Sequence, residues 1–296
     1  MILIEKLKTW AEMIKLEHTI FSAPFLLSAM LLASYPRLPH LETFLWVGLA
    51  LLGARSAAMT LNRILDASYD ALNPRTAARA IPAGKLSPLT AWILALVGFL
   101  TLGIAAWNLP PLCLKLLPVA IIWLSFYSFT KRFTWLCHWV LGIALGGAVL
   151  GGWIAVTGTL SNWLPILLAL AVCFWVAGFD IIYALQDLDF DRSQKLLSVP
   201  AQFGREKAIW ISRISHLLSV FWLAGANWVL VCAGSLALFP FLIASLVLLV
   251  GLMFEHYLLV KKPHQIDQIF FTANAWISSL FFLVLLVGNL INSPKI

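Results

Sequence analysis

Long runs of apolar residues recur along this chain, and they constrain its fold more than any other feature. Nine such runs of about 20 residues follow one another, and each is long enough to cross the hydrocarbon core of a bilayer as an α-helix. A helix satisfies its backbone polar groups internally, which a segment in lipid requires. Because 61% of the residues are apolar and only 11% are charged, the composition excludes an ordinary soluble domain. The sequence predicts an all-α, polytopic membrane protein.

The predicted spans form one domain over residues 1–296, because no long polar insert separates them. Residues 2–17 place Leu3, Leu7, Trp10 and Ile14 on one helical face, which predicts an amphipathic interfacial helix within residues 1–18. The nine predicted transmembrane helices are residues 19–35, 43–65, 88–107, 112–129, 134–156, 163–183, 209–232, 236–259 and 268–291.

The basic residues fall mainly on one side of this arrangement. Sixteen Lys and Arg residues lie in the segments on the side of the N-terminus, three lie on the other side, and Arg55 lies within a span. The positive-inside rule therefore predicts a multi-pass protein of the cell (inner) membrane with its N-terminus in the cytoplasm. The same topology explains the net charge of +7 without nucleic acid as a partner.

Two pairs of aspartates stand at helical spacing in this apolar chain. Asp66 and Asp70 form the first pair, Asp187 and Asp191 form the second, and the topology puts both pairs on the cytoplasmic side. Four converging carboxylates would repel one another unless cations neutralised them. Since hard divalent cations such as Mg²⁺ prefer oxygen ligands, the pattern predicts that these four residues hold such a cation.

Basic residues surround the acids and indicate an oxyanion as the second component of the site. Acids for a metal and bases for phosphate oxygens together describe a diphosphate site. The alternative is a salt-bridged cytoplasmic cap on ordinary helices. The bases are Arg63, Arg75, Arg79, Lys131, Arg132 and Arg192.

The fifth span carries two further features. Its glycine pairs at four-residue spacing, Gly142/Gly146 and Gly147/Gly151, predict close helix packing, with room for a bulky ligand as the alternative. His138, near the start of this span, has no neighbouring histidine at a spacing typical of metal ligands. We expect an interfacial or helix-bonding role for it.

The order of these residues resembles the UbiA superfamily of intramembrane prenyltransferases. Residues 62–84 (NRILDASYDALNPRTAARAIPAG) resemble the first family signature, and residues 183–191 (YALQDLDFD) resemble the second. Residues 127–132 (YSFTKR) are similar to the inner loop between them. The resemblance covers nearly the whole chain and implies a nine-helix bundle around a central cavity.

The resemblance also implies roles for individual residues. The four aspartates would hold Mg²⁺ against the diphosphate of a polyprenyl diphosphate donor, and Asp180 would support the site or accept a proton. Arg55 would face the carboxylate of an aromatic acid acceptor. The remaining expected substrate-binding residues are Asn62, Arg63, Arg79, Tyr127, Lys131, Arg132 and Tyr183.

The implied activity is a Mg²⁺-dependent transfer of a polyprenyl group to 4-hydroxybenzoate in quinone biosynthesis. Two departures from the family pattern stand out: Arg63 follows Asn62 where many relatives carry Asp, and Lys195 stands where many carry Gly. The first departure also resembles enzymes of a menaquinone route whose acceptor is 1,4-dihydroxy-6-naphthoate, so both acceptors remain open. A cation-coupled transporter is the alternative from another class, but its acids are expected near the bilayer midplane.

Overall fold

The computed structural model describes residues 9–15, 19–262 and 264–293. Within these ranges the chain consists of helices and loops without any β-strand, and two 3₁₀ segments, Tyr127–Arg132 and Leu185–Asp187, interrupt the helical order. The α-helices are α1 (Thr19–Ser34), α2 (Leu41–Leu65), α3 (Ala67–Leu72), α4 (Pro88–Trp107), α5 (Pro111–Phe126), α6 (Cys137–Thr157), α7 (Trp163–Ala184), α8 (Leu188–Ser193), α9 (Val199–Phe203), α10 (Arg205–Cys232), α11 (Leu238–Lys261) and α12 (Ile266–Asn292).

The long apolar helices coincide with the predicted spans. In the part of the chain that the structure describes, eight helices are long and apolar enough to cross a membrane, and α1 is apolar but shorter. The prediction of an all-α polytopic bundle is confirmed, with α1 as the short member of the nine. The three short helices α3, α8 and α9 follow spans at the end of the bundle where the acidic residues lie.

Helix α7 is the most deeply buried span and lies at the centre of the bundle. It packs against α6, α10 and α12, and most of its residues are buried. Trp175, which is fully buried, contacts Phe25 of α1 with ring centroids 4.7 Å apart. The second acidic pair therefore follows a helix that is held on several sides.

Glycines bring α6 into backbone contact with α7. A Cβ added at Gly142 would collide with the carbonyl of Cys173, and one added at Gly146 would lie 2.6 Å from the carbonyl oxygen of Ala169. The prediction of close packing is confirmed for this pair. It is wrong for Gly147 and Gly151, because no described atom lies within 4 Å of a Cβ added at either.

The described part of the N-terminal segment packs on the bundle. Residues 9–13 are helical, and the Trp10 indole N–H donates to the Thr60 hydroxyl at 3.1 Å. Met13 and Ile14 are buried in a cluster with Ala91 of α4. The predicted helical face thus covers protein at Trp10 and Ile14. The rest of that face, Leu3 and Leu7, lies outside the described residues.

Candidate active site

A cavity of about 1040 Å³ opens among α2, α3, α6, α7 and α12 at the acidic end of the bundle. The thirteen site residues expected from the sequence all line its wall. They are Arg55, Asn62, Arg63, Asp66, Asp70, Arg79, Tyr127, Lys131, Arg132, Asp180, Tyr183, Asp187 and Asp191.

Two helices supply most of these side chains from one face each. On α2, Arg55, Met59 and Asn62 recur at spacings of three and four residues and lead to Asp66, the residue that caps the helix. On α7, the lining residues are Val176, Phe179, Asp180 and Tyr183, and Asp187 follows in the 3₁₀ segment. The acids therefore lie at helix ends, and the apolar residues lie deeper in the bundle.

Each of the four aspartates forms an ion pair with its own base. Because every pair combines one acid and one base, the charges of these eight side chains cancel. The nitrogen–oxygen distances are 3.5 Å for Arg132–Asp66, 2.6 Å for Arg79–Asp70, 2.5 Å for Arg75–Asp187 and 3.4 Å for Lys131–Asp191.

Residues of the first signature reach directly into the second. The Asn73 amide donates to Asp187 Oδ1 at 3.0 Å, and Arg75 Nε donates to the same oxygen at 3.0 Å. Arg75 Nη1 also donates to the Tyr183 hydroxyl at 3.1 Å. The sequence argument counted Arg75 among the bases near the first acidic pair and gave neither Asn73 nor Arg75 an individual role. Because Asn73 and Arg75 lie within the first signature, residues 62–84, their position in the sequence could have identified them as site residues.

Burial and neighbouring charge shift the pKa values of Asp66 and Arg75, which lie beyond the end of α2. Burial, reinforced by the charge of Asp70, raises the pKa of the Asp66 carboxyl above its ordinary value. Burial acts to lower the pKa of Arg75, but its hydrogen bond and ion pair with Asp187 outweigh this effect, so the pKa is raised. A cation bound beside Asp66 would therefore favour its ionised form.

Further hydrogen bonds orient the site from behind the acids. Asn62 donates to Asp66 Oδ2 at 2.9 Å and accepts from Arg63 Nη1 at 3.4 Å. Asp180 pairs with the buried His138 at 2.7 Å, so the helix-bonding role expected for His138 is the observed one. Asp180 thus faces the cavity with one oxygen tied to α6.

Arg55 and Tyr127 lie deeper than the aspartates. Arg55 Nη2 donates to the backbone carbonyl of Lys15 at 2.6 Å, which fastens the N-terminal segment to the cavity wall. The Tyr127 hydroxyl lies 4.0 Å from the sulfur of Met59. About three turns of α2, or roughly 16 Å of helix rise, separate Arg55 from Asp66.

The donor atoms suit a hard divalent cation. All four carboxylates offer oxygen, and Asp70 Oδ2 is buried without a hydrogen-bond partner among the described residues. No group of three or more His, Cys, Asp or Glu side chains in the described ranges is close enough to hold a metal by itself. Each of the four carboxylates is instead paired with its own base.

Lys195 adopts a left-handed backbone conformation with φ 56°. This region favours glycine, which is the residue that the family resemblance leads one to expect there. Lys195 is not among the residues that line the cavity. The departure therefore places a residue with a side chain at a positive φ in the loop after Asp191.

The deep part of the cavity is apolar and aromatic. The ring centroids of Phe179 and Phe270 lie 5.3 Å apart, and those of Tyr183 and Phe270 lie 4.4 Å apart. Leu141 and Leu145 of α6 complete this wall. The cavity thus joins a charged end to an apolar end, which suits an amphiphilic molecule.

Comparison with known proteins agrees with this geometry. The model of the UbiA prenyltransferase family matches residues 22–286. The chain is 30% identical to the 4-hydroxybenzoate octaprenyltransferase of Tolumonas auensis over 232 residues, 77% of each protein. The solved apo structure of a UbiA homolog from Aeropyrum pernix K1 is 32% identical, with a TM-score of 0.76 over 93% of this chain and 98% of that one.

A more distant solved structure shares the fold. The UbiA homolog from Archaeoglobus fulgidus bound to DMAPP and Mg²⁺ is 16% identical, with a TM-score of 0.75 over 96% of this chain and 99% of that one. The extent of the family match and the identity to the first two relatives decide the assignment. The chain belongs to the UbiA prenyltransferase family and is a multi-pass membrane prenyltransferase.

Proposed function

We propose that this protein transfers a polyprenyl group from polyprenyl diphosphate to an aromatic acid, 4-hydroxybenzoate, in quinone biosynthesis, with Mg²⁺ as cofactor. The observation that carries the proposal is the single cavity in which four aspartates and four bases meet an apolar wall. A diphosphate head and an isoprenoid tail match these two parts.

The charged end would hold the donor. Asp66, Asp70, Asp187 and Asp191 would bind Mg²⁺, which when bound neutralises the charge of the diphosphate leaving group. The bases that now pair with these carboxylates would turn to the phosphate oxygens. This exchange keeps every charge compensated, so the bound complex avoids an unpaired buried ion. The Mg²⁺ and DMAPP named for the Archaeoglobus fulgidus homolog support this choice of ligands.

The reaction would be an electrophilic aromatic substitution. The allylic C–O bond breaks and diphosphate leaves with the bonding electrons. A ring carbon of the acceptor then forms the new C–C bond and loses its proton to a base. The rings of Tyr127 and Tyr183 would stabilise the allylic cation, and Asp180 would accept the proton or support that step. Apolar residues around the site would exclude water, which would otherwise trap the cation.

Arg55 would recognise the carboxylate of the acceptor. Its distance from Asp66 along α2, roughly 16 Å, leaves room for one aromatic ring between the carboxylate and the allylic carbon. In this role the guanidinium would exchange the Lys15 carbonyl for the substrate. The name of the Tolumonas auensis relative supports 4-hydroxybenzoate. Arg63, which follows Asn62 where many 4-hydroxybenzoate enzymes carry Asp, makes 1,4-dihydroxy-6-naphthoate the second candidate acceptor.

The distribution of bases supports the orientation. Because Lys and Arg concentrate on the acidic end of the bundle, that end would face the cytoplasm, and the protein would lie in the cell (inner) membrane. Water-soluble aromatic acid would then enter from the cytoplasm, and the prenyl chain would enter from the bilayer.

A direct test combines purified protein, Mg²⁺ and labelled geranyl diphosphate with each aromatic acid in turn. The proposal expects a prenylated 4-hydroxybenzoate, no product with EDTA, and no product from an Asp191→Asn variant. If product forms only from 1,4-dihydroxy-6-naphthoate, that acid is the acceptor and the proposed reaction is unchanged. No product from either acid, with folded protein and Mg²⁺ present, would contradict the proposal.

A further inference from the structure

The fully buried His138 bridges two parts of the site that the chain places far apart. Its Nδ1 lies 2.7 Å from Asp180 Oδ2 on α7, and its Nε2 accepts the backbone N–H of Val199 at 3.2 Å. Its side chain is 0% exposed, so neither substrate nor water reaches it. A ring nitrogen that accepts a hydrogen bond carries no proton. The imidazole is therefore the Nδ1–H tautomer, which donates to Asp180.

The Val199 end of this bridge leads to a proposed metal ligand. Val199 begins α9, and Ser198 caps that helix by accepting the Ala201 N–H at 3.3 Å. The Ser198 hydroxyl donates to Asp191 Oδ2 at 2.8 Å. One continuous chain of contacts therefore runs from Asp180 through His138, Val199 and Ser198 to Asp191.

The packing of α6 on α7 sets the register of the bridge. Gly142, one turn after His138, lies against the Cys173 carbonyl, and Cys173 lies two turns before Asp180. Because the two helices run antiparallel, this contact places His138 opposite Ala177, about one turn before Asp180, and the side chains of His138 and Asp180 span that turn to meet. A side chain that is buried, bonded at both nitrogens and set by a backbone contact has a fixed orientation.

We propose that His138 is a positioning residue that fixes Asp180 in the cavity and anchors the Ser198–Val199 segment that bonds Asp191. The inference rests on the proposed function and extends it to a residue that touches neither donor nor acceptor. The hydrogen bond between His138 and Asp180, here the Asp180 arm, would govern the chemical step. The hydrogen bond between His138 and Val199, here the Val199 arm, would govern how firmly Asp191 is held for Mg²⁺.

Two substitutions separate the contact with Asp180 from the contact with Val199. The side-chain amide of Asn lies where Nδ1 of histidine lies, and the side-chain amide of Gln lies where Nε2 lies. His138→Gln keeps an acceptor for Val199 and loses the donor to Asp180. We expect its kcat to fall about tenfold or more, with a half-saturating Mg²⁺ concentration within about twofold of wild type. His138→Asn keeps the donor and loses the acceptor. We expect its half-saturating Mg²⁺ concentration to rise about fivefold or more, with kcat at saturating Mg²⁺ within about threefold.

The Mg²⁺ response is measured as equilibrium binding of labelled geranyl diphosphate, which needs no acceptor. Thermal unfolding in detergent checks the fold. His256→Gln is the matched control, because it makes the same change at a half-buried histidine of α11 outside the cavity. Its kcat and Mg²⁺ response should match the wild type. In an Asp180→Asn background, His138→Gln should lower kcat by no more than about twofold further.

Wild-type kcat in folded His138→Gln would overturn the proposal, as would equal losses of kcat and Mg²⁺ response in both variants. Full additivity with Asp180→Asn would overturn the Asp180 arm. If His138→Gln does not fold, His138→Asn decides, and a wild-type Mg²⁺ response in it overturns the proposal. A wild-type protein that binds the diphosphate but prenylates no aromatic acid would refute the proposed function alone, because the binding assay still tests the Val199 arm.

Discussion

Replacing Gly146 by alanine tests the packing that holds the α6 and α7 walls of the cavity together. The added methyl carbon would lie 2.6 Å from the Ala169 carbonyl oxygen. Its neighbour Gly147 provides the control, because no described atom lies within 4 Å of a Cβ added there. Both positions are inside α6, so the change in intrinsic helix propensity is the same and cancels in the comparison.

The distances set the size of the effect. Carbon–oxygen contacts between packed helices lie at about 3.3–3.6 Å, so Gly146→Ala must push the backbones apart by roughly 0.7–1 Å. Overpacking of this kind costs about 1–3 kcal/mol. We therefore expect Gly146→Ala to be less stable than Gly147→Ala by about 1–3 kcal/mol. The separation also moves the α6 residues that line the cavity, so prenyl transfer should fall only in Gly146→Ala.

The assay is reversible unfolding of each purified variant in mixed micelles, followed by tryptophan fluorescence. Gly147→Ala should be as stable as wild type or up to about 1 kcal/mol more stable, because alanine favours the helix. Gly146→Ala should unfold at lower denaturant than Gly147→Ala, with an unchanged slope. Equal stability of the two alanine variants would refute the argument that the α6–α7 contact depends on the missing Cβ.

Three further substitutions test single residues of the site. Lys195→Gly should raise the free energy of unfolding by about 1 kcal/mol, because glycine adopts the positive φ without strain, and should leave kcat unchanged. A lower free energy of unfolding would count against strain at this residue. Arg55→Ala should raise KM for the aromatic acid about tenfold or more and KM for the donor far less, and equal rises would place Arg55 at the diphosphate instead. Arg75→Lys keeps the charge but loses the fork that joins Asp187 and Tyr183, so donor binding should weaken about tenfold; wild-type affinity would contradict a role for the fork.

Much of this architecture could be predicted because lipid imposes simple rules on sequence. The apolar runs determine the helices, and the predicted span at residues 163–183 nearly coincides with Trp163–Ala184. Charged residues in such a chain are few, so those that occur stand out as candidates for the site. The cavity brings together all thirteen predicted site residues, ten of which are charged. Their individual roles remain predictions.

Contacts between segments that lie far apart in the sequence could not be predicted from local residue patterns. Arg75 lies near the first acidic pair in sequence but pairs with Asp187 of the second. Gly146 and Gly147 are adjacent and chemically identical, yet only Gly146 faces α7. His138 has no motif around it, and its role follows only from Asp180 and Val199 lying on either side of its ring.

The central claim is that two acidic helix ends hold one magnesium-bound diphosphate, and equilibrium binding tests it most directly. Labelled geranyl diphosphate is titrated into purified wild type, Asp70→Asn and Asp191→Asn, each with and without Mg²⁺. The account predicts tight binding only in wild type with Mg²⁺, and a loss of about tenfold or more in both variants, one from each helix end. Binding that is indifferent to Mg²⁺, or wild-type affinity in either folded variant, would contradict it.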